Sequence, residues 1–327
     1  MRAFSGIQPT GDLHLGNYLG AVRRWTDDQH ASDAVFCVVD LHALTVPRDP
    51  HELRTKTADL VRLLVACGLD PDVCTLFVQS QVPEHTGLAW LMECTASFGE
   101  LSRMVQFKDK ADRSDFVSAG LFAYPALQAA DILLYDTDVV PVGDDQRQHV
   151  ELARDVAERF NRRTGEEVFV IPEHVIPPVG ARIMDLQHPA DKMSKSLDSP
   201  QGTILVLDDP KVIEKKLKRA VTDADNEVRY DPEAKPGVSN LLSILAAATG
   251  GDPAALANEY EMYGPLKAAT AEAVVELLRP VQERFAALSE DLGATADILR
   301  TGADKARAVA TPTLERAQRA AGLLAPS

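Results

Sequence analysis

The feature that most limits the fold is the alternation of short apolar runs with helical patterns in the first half of the chain. Residues 34–39 and 74–78 are rich in Val, Leu, Phe and Cys, which is typical of strands that are buried on both faces. Residues 139–143 form another short run of this kind. Strands that alternate with helices predict a parallel sheet covered by helices on both sides.

Helix signals fill the spaces between these runs. Asp49, Pro50 and Glu52 are typical of an N-cap, a first position and a third position of a helix. Helically spaced apolar residues follow, and Gly68 is predicted to end this helix. Residues 150–160 carry apolar side chains on one face of a further long helix.

The pattern changes near residue 199. Helical patterns separated by Pro and Gly follow, at residues 211–221, 239–249, 253–263, 266–287 and 302–322, without a convincing strand. We therefore predict an α/β domain with a parallel sheet at residues 1–198. A second, all-helical domain is predicted at residues 199–327.

The composition, with 45% hydrophobic and 25% charged residues in 327, is ordinary for a soluble globular protein. No apolar run approaches the ~20 residues that span a bilayer, and the N-terminus lacks a secretion signal. We therefore expect a cytoplasmic protein without a membrane partner. The cysteines have no C-x-x-C spacing, so we expect buried thiols rather than a metal site or a disulfide. They are Cys37, Cys67, Cys74 and Cys94.

The net charge of -15, from 34 Lys+Arg and 49 Asp+Glu, argues by itself against a nucleic-acid partner. Local distribution matters more than net charge, however, and one stretch is locally basic. It contains Lys211, Lys215, Lys216, Lys218 and Arg219. Taken alone, this stretch is best interpreted as the solvated face of a helix.

The first motif with chemical meaning is His14-Leu15-Gly16-Asn17, which follows a short strand and opens a helix. A helix N-terminus offers free N–H groups and a partial positive charge, which suit a phosphate. Gly16 permits close approach of a nucleotide, and His14 and Asn17 can donate hydrogen bonds. The first strand–helix junction of an α/β sheet is also where ligands tend to bind. Neither a P-loop nor a G-x-G-x-x-G fingerprint occurs, which disfavours those nucleotide sites.

The second motif is Lys192-Met193-Ser194-Lys195-Ser196, which lies between Pro189 and Pro200 and is therefore predicted to be a loop. Two lysines on such a loop can offset the negative charge that builds on a departing pyrophosphate. An exposed polar loop is the alternative. It is disfavoured because the first motif independently predicts a triphosphate partner.

Together these motifs resemble those of the class I aminoacyl-tRNA synthetases, usually written His-Ile-Gly-His and Lys-Met-Ser-Lys-Ser. The second matches letter for letter, and Asn17 replaces the final His of the first, as in the tryptophan/tyrosine branch. Further segments resemble the bacterial tryptophanyl-tRNA synthetases over nearly the whole chain. They lie at residues 5–11, 129–133, 140–146, 220–223 and 235–242.

The resemblance implies a Rossmann-like catalytic domain and a helical domain that binds the tRNA anticodon. It implies a tryptophan–tRNA ligase that uses ATP, with Mg²⁺ carried by the ATP, to convert L-tryptophan into an adenylate and pyrophosphate. Tryptophan is then transferred to the 3′ end of tRNA(Trp). The resemblance also implies a homodimer, and under it the basic stretch at residues 211–219 gains weight as a tRNA contact.

Site residues follow from the same resemblance. Those expected at ATP are Gln8, Pro9, Thr10, His14, Gly16, Asn17, Gly143, Asp144, Asp145, Ile183, Lys192, Met193, Ser194, Lys195 and Ser196. Those expected to act in catalysis are Gln8, Lys110, Lys192 and Lys195. Those expected around tryptophan are Phe4, Gly6, His42, Tyr124, Gln128, Asp131 and Gln146.

Asp131 is expected to select tryptophan. It lies in an apolar helical segment, residues 124–135, where a carboxylate is costly unless it is paired. The indole N–H is a suitable partner, although the residues alone favour a nearby backbone group or Arg. Gln128, one helical turn earlier, is Met in many relatives, and its amide is expected to change the hydration of the pocket but not the substrate.

Three alternatives stay open at this point. A tyrosyl-tRNA synthetase shares the fold and the Gly-Asn ending, although the segment at residues 140–146 disfavours it. A small nucleotidyltransferase with a His-x-Gly-His motif would not need the helical half. A catalytically silent paralogue that acts as a binding protein is disfavoured by the intact motifs.

Overall fold

The sheet of the computed structural model confirms the predicted parallel architecture. The structure describes residues 1–111, 116–143, 146–176, 182–194 and 199–324, and only the backbone of 109–111. The strands are β1 (Arg2–Ile7), β2 (Asp33–Val38), β3 (Thr75–Val78), β4 (Val139–Pro141) and β5 (Glu173–Val175). Neighbouring strands pair in parallel in the order β3-β2-β1-β4-β5. The strand order reverses between β1 and β4, as in Rossmann-like folds.

The helices follow the strands and then continue alone. In the first half they are α1 (Leu15–Asn17), α2 (Arg23–Ala31), α3 (Asp40–Ala43), α4 (Pro50–Ala66), α5 (Glu84–Glu93), α6 (Phe98–Ser102), α7 (Val105–Ala111), α8 (Ala119–Leu133) and α9 (Arg147–Thr164). In the second half they are α10 (Pro210–Lys218), α11 (Pro236–Thr249), α12 (Pro253–Leu256), α13 (Tyr263–Glu290) and α14 (Leu292–Ala320). A π-helical turn, Tyr18–Val22, joins α1 to α2.

The predicted start of α4 is confirmed. The Asp49 side chain accepts a hydrogen bond from the Glu52 N–H at 2.8 Å, with Pro50 at the first helical position. Gly68 follows the helix end with a φ of +116°, a conformation that L side chains rarely adopt.

Both faces of the sheet are covered by helices. Successive side chains of a strand point to opposite faces, so each strand contributes to two cores. On β2, Phe36 and Val38 belong to a core shared with α4, α10, α11 and α13. Val35 and Cys37 belong to the opposite core, which is shared with α5, α8, α9 and α14. Helices from beyond residue 199 therefore complete both cores, while the domain boundary at residue 199 stays a prediction.

The described residues beyond 199 form helices and no strand, as predicted, but the last helix was placed wrongly. We predict its start at Gly302 from the sequence, whereas α14 begins at Leu292. The Asp291 side chain caps it by accepting a hydrogen bond from the Ala294 N–H at 2.8 Å. Gly302 lies inside α14 at a close approach to β3. A Cβ atom at Gly302 would lie 1.8 Å from the Leu76 carbonyl oxygen.

This close approach predicts a stability defect for Gly302→Ala. Since the obstacle is backbone, α14 must move away from β3, and we expect the free energy of unfolding to fall by about 2–3 kcal/mol. Gly264→Ala in α13 is the matched control, because its Cβ meets nothing within 4 Å. Unfolding midpoints in urea measure both. Equal midpoints for the two variants would contradict the packing argument.

One cysteine corrects the prediction of buried thiols. Cys37, Cys67 and Cys74 are buried, but Cys94 is exposed. Its N–H bonds to the carbonyl of Trp90 at the end of α5, so it lies beside the exposed Trp90 on the outer side of this helix. Within the described part of the chain, no helix is long and apolar enough to cross a membrane.

Candidate active site

A cavity of about 340 Å³ opens between β1 and β4, where the strand order reverses. Open parallel sheets bind ligands at this point, because the loops diverge there and leave a crevice. The cavity is lined by Phe4, Ser5, Gly6, Gln8, Trp25, Val39, His42, Gln106, Tyr124, Gln128, Asp131, Ile132, Val140, Pro141, Val142 and Gln146. The walls combine apolar and polar side chains, which suits a small amphipathic molecule.

All seven residues expected around tryptophan line this one cavity. They come from β1 (Phe4 and Gly6), α3 (His42), α8 (Tyr124, Gln128 and Asp131) and the residue before α9 (Gln146). Their contact with tryptophan stays a prediction. The structure nevertheless brings together side chains from four separate parts of the sequence.

Asp131 is the polar centre of the cavity wall and is only 1% exposed. His42 Nε2 donates to its Oδ2 at 2.7 Å. Its Oδ1 accepts from Gln79 Nε2 at 2.7 Å and from His85 Nδ1 at 2.6 Å. A buried carboxylate therefore has the hydrogen bonds that it requires.

These donors also keep the carboxylate ionised. Burial by itself raises the pKa of a carboxylic acid, but the electrostatic interaction with His42 and the hydrogen bonds from His42 and His85 outweigh it. They hold the pKa of Asp131 well below its usual range. An ionised carboxylate can only accept hydrogen bonds, so Asp131 presents the cavity with an acceptor and no donor.

A second polar pair joins α8 to α9. The Tyr124 hydroxyl and His149 Nε2 are 3.0 Å apart, and burial raises the pKa of Tyr124 to about 12. The Tyr124 hydroxyl therefore stays protonated near neutral pH. The Gln146 N–H donates to the carbonyl of Gly143 at 3.0 Å.

The first motif forms the N-terminus of α1. His14 is the N-cap, and its Nδ1 accepts from the Asn17 N–H at 3.2 Å. His14 is thus a buried capping residue. The Leu15 N–H donates to the Ile204 carbonyl at 2.8 Å and the Tyr18 N–H to the His14 carbonyl at 3.0 Å. A Cβ atom at Gly16 would lie 3.1 Å from His14 Nδ1 and 3.5 Å from Met193 Cβ. The two motifs are therefore in contact at Gly16.

The second motif is anchored beside a short extended segment. Lys192 pairs with Met184 in an antiparallel bridge, and the Met193 N–H donates to the Ile183 carbonyl at 3.0 Å. Met193 and Ile183 are buried, while Lys192 is exposed. Ser194 is half-buried, and its carbonyl accepts from Thr203 Oγ1 at 3.4 Å.

The remaining predicted ATP residues divide into placed and undescribed ones. Gln8 lines the cavity and continues into Pro9 and Thr10, which lead to the first motif. Gly143 is exposed at the end of β4. The predictions for the Lys110 side chain and for Asp144, Asp145, Lys195 and Ser196 lie outside the described residues.

The sequence interpretation missed the residues behind Asp131. Gln79 directly follows β3, so the rule that ligands bind at the carboxyl ends of parallel strands signals its importance. His85, Tyr135 and Gln106 lie in helical or loop segments whose patterns give no comparable signal. Lys216 was grouped with the basic stretch, but it is buried and bonds to Asp208 at 2.6 Å.

Comparisons with known proteins point to one family. A family model described as tRNA synthetases class I (W and Y) matches residues 1–279. Tryptophan–tRNA ligase 1 of Streptomyces coelicolor is 57% identical over 330 residues, covering 99% of this chain and 98% of that one.

Two solved structures are similar over nearly their full length. Tryptophanyl-tRNA synthetase from Mycoplasma pneumoniae has a TM-score of 0.89 at 38% identity, covering 99% of this chain and 98% of that chain. The enzyme from Campylobacter jejuni, complexed with ADP and tryptophan, has a TM-score of 0.88 at 34% identity, covering 99% and 100%. The chain therefore belongs to the class I tRNA synthetases of the tryptophan and tyrosine family.

Proposed function

We propose that this chain activates L-tryptophan with ATP and transfers it to tRNA(Trp). It is an aminoacyl-tRNA ligase by family, and its relatives of 51–57% identity are tryptophan–tRNA ligases. The observation that carries the choice of amino acid is Asp131, a buried and ionised acceptor in the wall of the cavity. It suits the single N–H donor of an indole ring.

The cavity and the two motifs support a reaction that needs no general base. A carboxylate is already ionised at pH 7, so it can attack the α-phosphorus of ATP directly. A bond forms between a carboxylate oxygen and phosphorus, and the bond to the bridging oxygen of pyrophosphate breaks. Gln8 lies between the two substrates, and the α1 N-terminus with Gly16 receives the nucleotide.

Charge stabilisation is assigned to the lysines. Lys110, Lys192 and Lys195 hold the triphosphate, and Mg²⁺ enters with ATP as part of the substrate. Lys192 is exposed beside the buried Met193, which itself touches the first motif at Gly16. This placement supports a lysine that reaches a nucleotide bound at α1. ATP and tRNA as substrates, together with the buried free thiols, support a cytoplasmic location.

The test is the exchange of labelled pyrophosphate into ATP with each of the twenty amino acids in turn. We expect exchange with L-tryptophan alone. Exchange with tyrosine in its place would contradict the specificity, and a lack of exchange with every amino acid would indicate a silent binding protein. Aminoacylation of tRNA(Trp) then tests the second step.

We also assign tRNA binding to the helical half. Lys211, Lys215, Lys218 and Arg219 are exposed on or next to α10, whereas Lys216 faces inward. Exposed cations gathered on one helix can bind RNA even on an acidic protein, at the cost of strong salt sensitivity.

Replacing Lys211, Lys215 and Lys218 together by Ala is expected to raise the KM for tRNA by about 10-fold and to weaken its salt dependence. Tryptophan-dependent exchange needs no tRNA and should not change. The control is Arg279→Ala with Arg300→Ala, which removes exposed cations from α13 and α14. An unchanged KM for tRNA would contradict the assignment.

A homodimer is the last part of the proposal. Phe98 is 76% exposed, Trp90 65% and Val105 58%, on the neighbouring helices α6, α5 and α7. The Phe98 ring also lies 5.1 Å from the ring of Phe122 on α8. Large exposed apolar side chains on successive helices support an interface between copies of the chain.

Phe98→Asp is therefore expected to convert a dimer into a monomer, because it places a charge in an apolar interface. Light scattering after size exclusion measures the mass. Leu292→Asp, at a 69% exposed position on α14, is the control and should stay dimeric. A wild-type chain that is monomeric at every concentration would contradict the proposal.

A further inference from the structure

His85 contacts the proposed specificity residue without lining the cavity. It is fully buried on α5, and its Nδ1 lies 2.6 Å from Asp131 Oδ1. Its other ring nitrogen, Nε2, lies 2.8 Å from the Tyr135 hydroxyl. A chain of hydrogen bonds therefore runs from the cavity wall into the protein interior.

The chemistry of the chain defines the direction of each bond. Asp131 is ionised and can only accept, so His85 Nδ1 carries a proton and donates it. Burial, with Cys37 and Asp131 nearby, raises the pKa of the Tyr135 hydroxyl well above its usual value. Tyr135 therefore keeps its proton and can donate it to Nε2. A neutral imidazole satisfies both bonds, and Tyr135 selects the tautomer that faces Asp131.

The same chain accounts for the acceptor capacity of Asp131. A carboxylate offers about four acceptor positions. Gln79 and His85 occupy those of Oδ1, and His42 occupies one on Oδ2. The remaining position is on Oδ2, the oxygen shared with His42, and Asp131 lines the cavity.

An aromatic shell protects this arrangement. Phe77 packs against the rings of His85 and Tyr135, with centroids 5.6 and 5.5 Å apart. Phe4, which lines the cavity, stacks on Tyr135 at 5.7 Å with planes 13° apart. In such a dry environment a missing partner is not replaced easily by water, so the orientation of Asp131 depends on its donors.

We propose that His85, held by Tyr135, is a positioning residue that fixes Asp131 as the acceptor for the ring N–H of the amino-acid substrate. This inference rests on the proposed function and deepens it. His85 acts through Asp131 and does not touch the substrate. The alternative is a purely structural role, in which His85 and Tyr135 only join α5 to the end of α8, two helices that pack against each other.

The discriminating measurement is a ratio of two substrates. L-Tryptophan has a ring N–H, whereas 3-benzothienyl-L-alanine has sulfur at the same position and a nearly equal shape. Both kcat/KM values are measured by exchange, for wild type and for each variant. Loss of positioning lowers the preference for tryptophan, whereas loosened packing lowers both values by the same factor.

Tyr135→Phe removes only the hydroxyl that selects the tautomer. We expect the preference for tryptophan to fall about 5-fold, through KM, with kcat nearly unchanged. His85→Leu removes the donor itself and should reduce the preference by about 10-fold or more. His85→Asn should restore most of it, because the amide nitrogen is as many bonds from Cα as Nδ1.

Tyr260→Phe, in a half-buried tyrosine of the helical half, is the control and should leave both values unchanged. If His85→Leu fails to fold, Tyr135→Phe and His85→Asn still decide. An equal loss for both substrates in Tyr135→Phe would overturn the inference. A wild-type chain that does not activate tryptophan would instead overturn the proposed function.

Discussion

Asp131→Asn is expected to lower kcat/KM for tryptophan by about 100- to 1,000-fold, almost entirely through KM. The substitution keeps the size and shape of the side chain and removes its charge. It also replaces one of two acceptor atoms by a donor. Bonds to a charged group contribute about 1.5–3 kcal/mol each, which corresponds to a factor of about 10 to 100 per bond.

The geometry explains why binding suffers more than folding. The amide oxygen of Asn can take the place of Oδ1 and keep the bonds from Gln79 and His85. The NH₂ group then faces His42, which can accept it after a change of tautomer. Its second N–H points into the cavity, where the indole N–H requires an acceptor. The N–H of the Asn side chain and the indole N–H then face each other as two donors. The hydrogen bond to tryptophan is lost, and binding weakens.

Steady-state exchange kinetics with tryptophan, with KM for ATP measured in parallel, test this prediction. The unfolding midpoint serves as the control for folding and should fall only modestly. The benzothienyl analogue should lose much less than tryptophan, since it has no N–H to repel. An unchanged KM for tryptophan would show that Asp131 does not contact the indole.

Local patterns predicted the sheet well, because every β2 and β3 residue after the first one is buried on one face or the other and the apolar runs are therefore continuous. β5 was missed because residues 173–175, Glu-His-Val, form an edge strand with little apolar character. Gly302 was mistaken for a helix start, since Gly usually interrupts helices. The glycine is required at this position because α14 approaches β3 closely there. No local pattern around residue 302 contains Leu76, the residue that it approaches.

In the site, as in the fold, local features could be predicted from the sequence and distant partners could not. That a carboxylate in an apolar helix requires partners follows from Asp131 alone. Its partners His42, Gln79 and His85 lie 89, 52 and 46 residues away along the chain, on three different elements. Lys216 was misjudged for a related reason. It lies in a basic run, but its position on the buried face of α10 directs it inward to Asp208.

The second large effect is expected for Lys195→Ala, which should slow adenylate formation by about 100- to 1,000-fold while the affinity for tryptophan hardly changes. Lys195 lies outside the described residues, so its role stays a prediction from the motif. The anchor of its loop is described, however. Met193 is buried and touches Gly16, so the loop begins next to the turn that receives the nucleotide.

The physical reason is that the charge of the lysine matters most when negative charge gathers on the departing pyrophosphate. Such an interaction is stronger in the transition state than with bound ATP, so its loss lowers the rate and leaves ground-state binding nearly intact. Single-turnover formation of the adenylate measures the rate, and equilibrium titration measures tryptophan binding. Arg300→Ala, an exposed charge on α14, is the control for net charge and should react normally.

A change in the rate without a change in tryptophan affinity distinguishes charge stabilisation from a structural role of the lysine. A comparable loss in rate and in tryptophan affinity would mean that the lysine maintains the structure of the site. The loss of an interaction made only in the transition state leaves the binding of tryptophan unchanged. Lys192→Ala extends the test, since Lys192 is exposed yet tied to Met184 by a backbone bridge. If both lysines stabilise the same developing charge, their effects on the rate should be non-additive in the double variant.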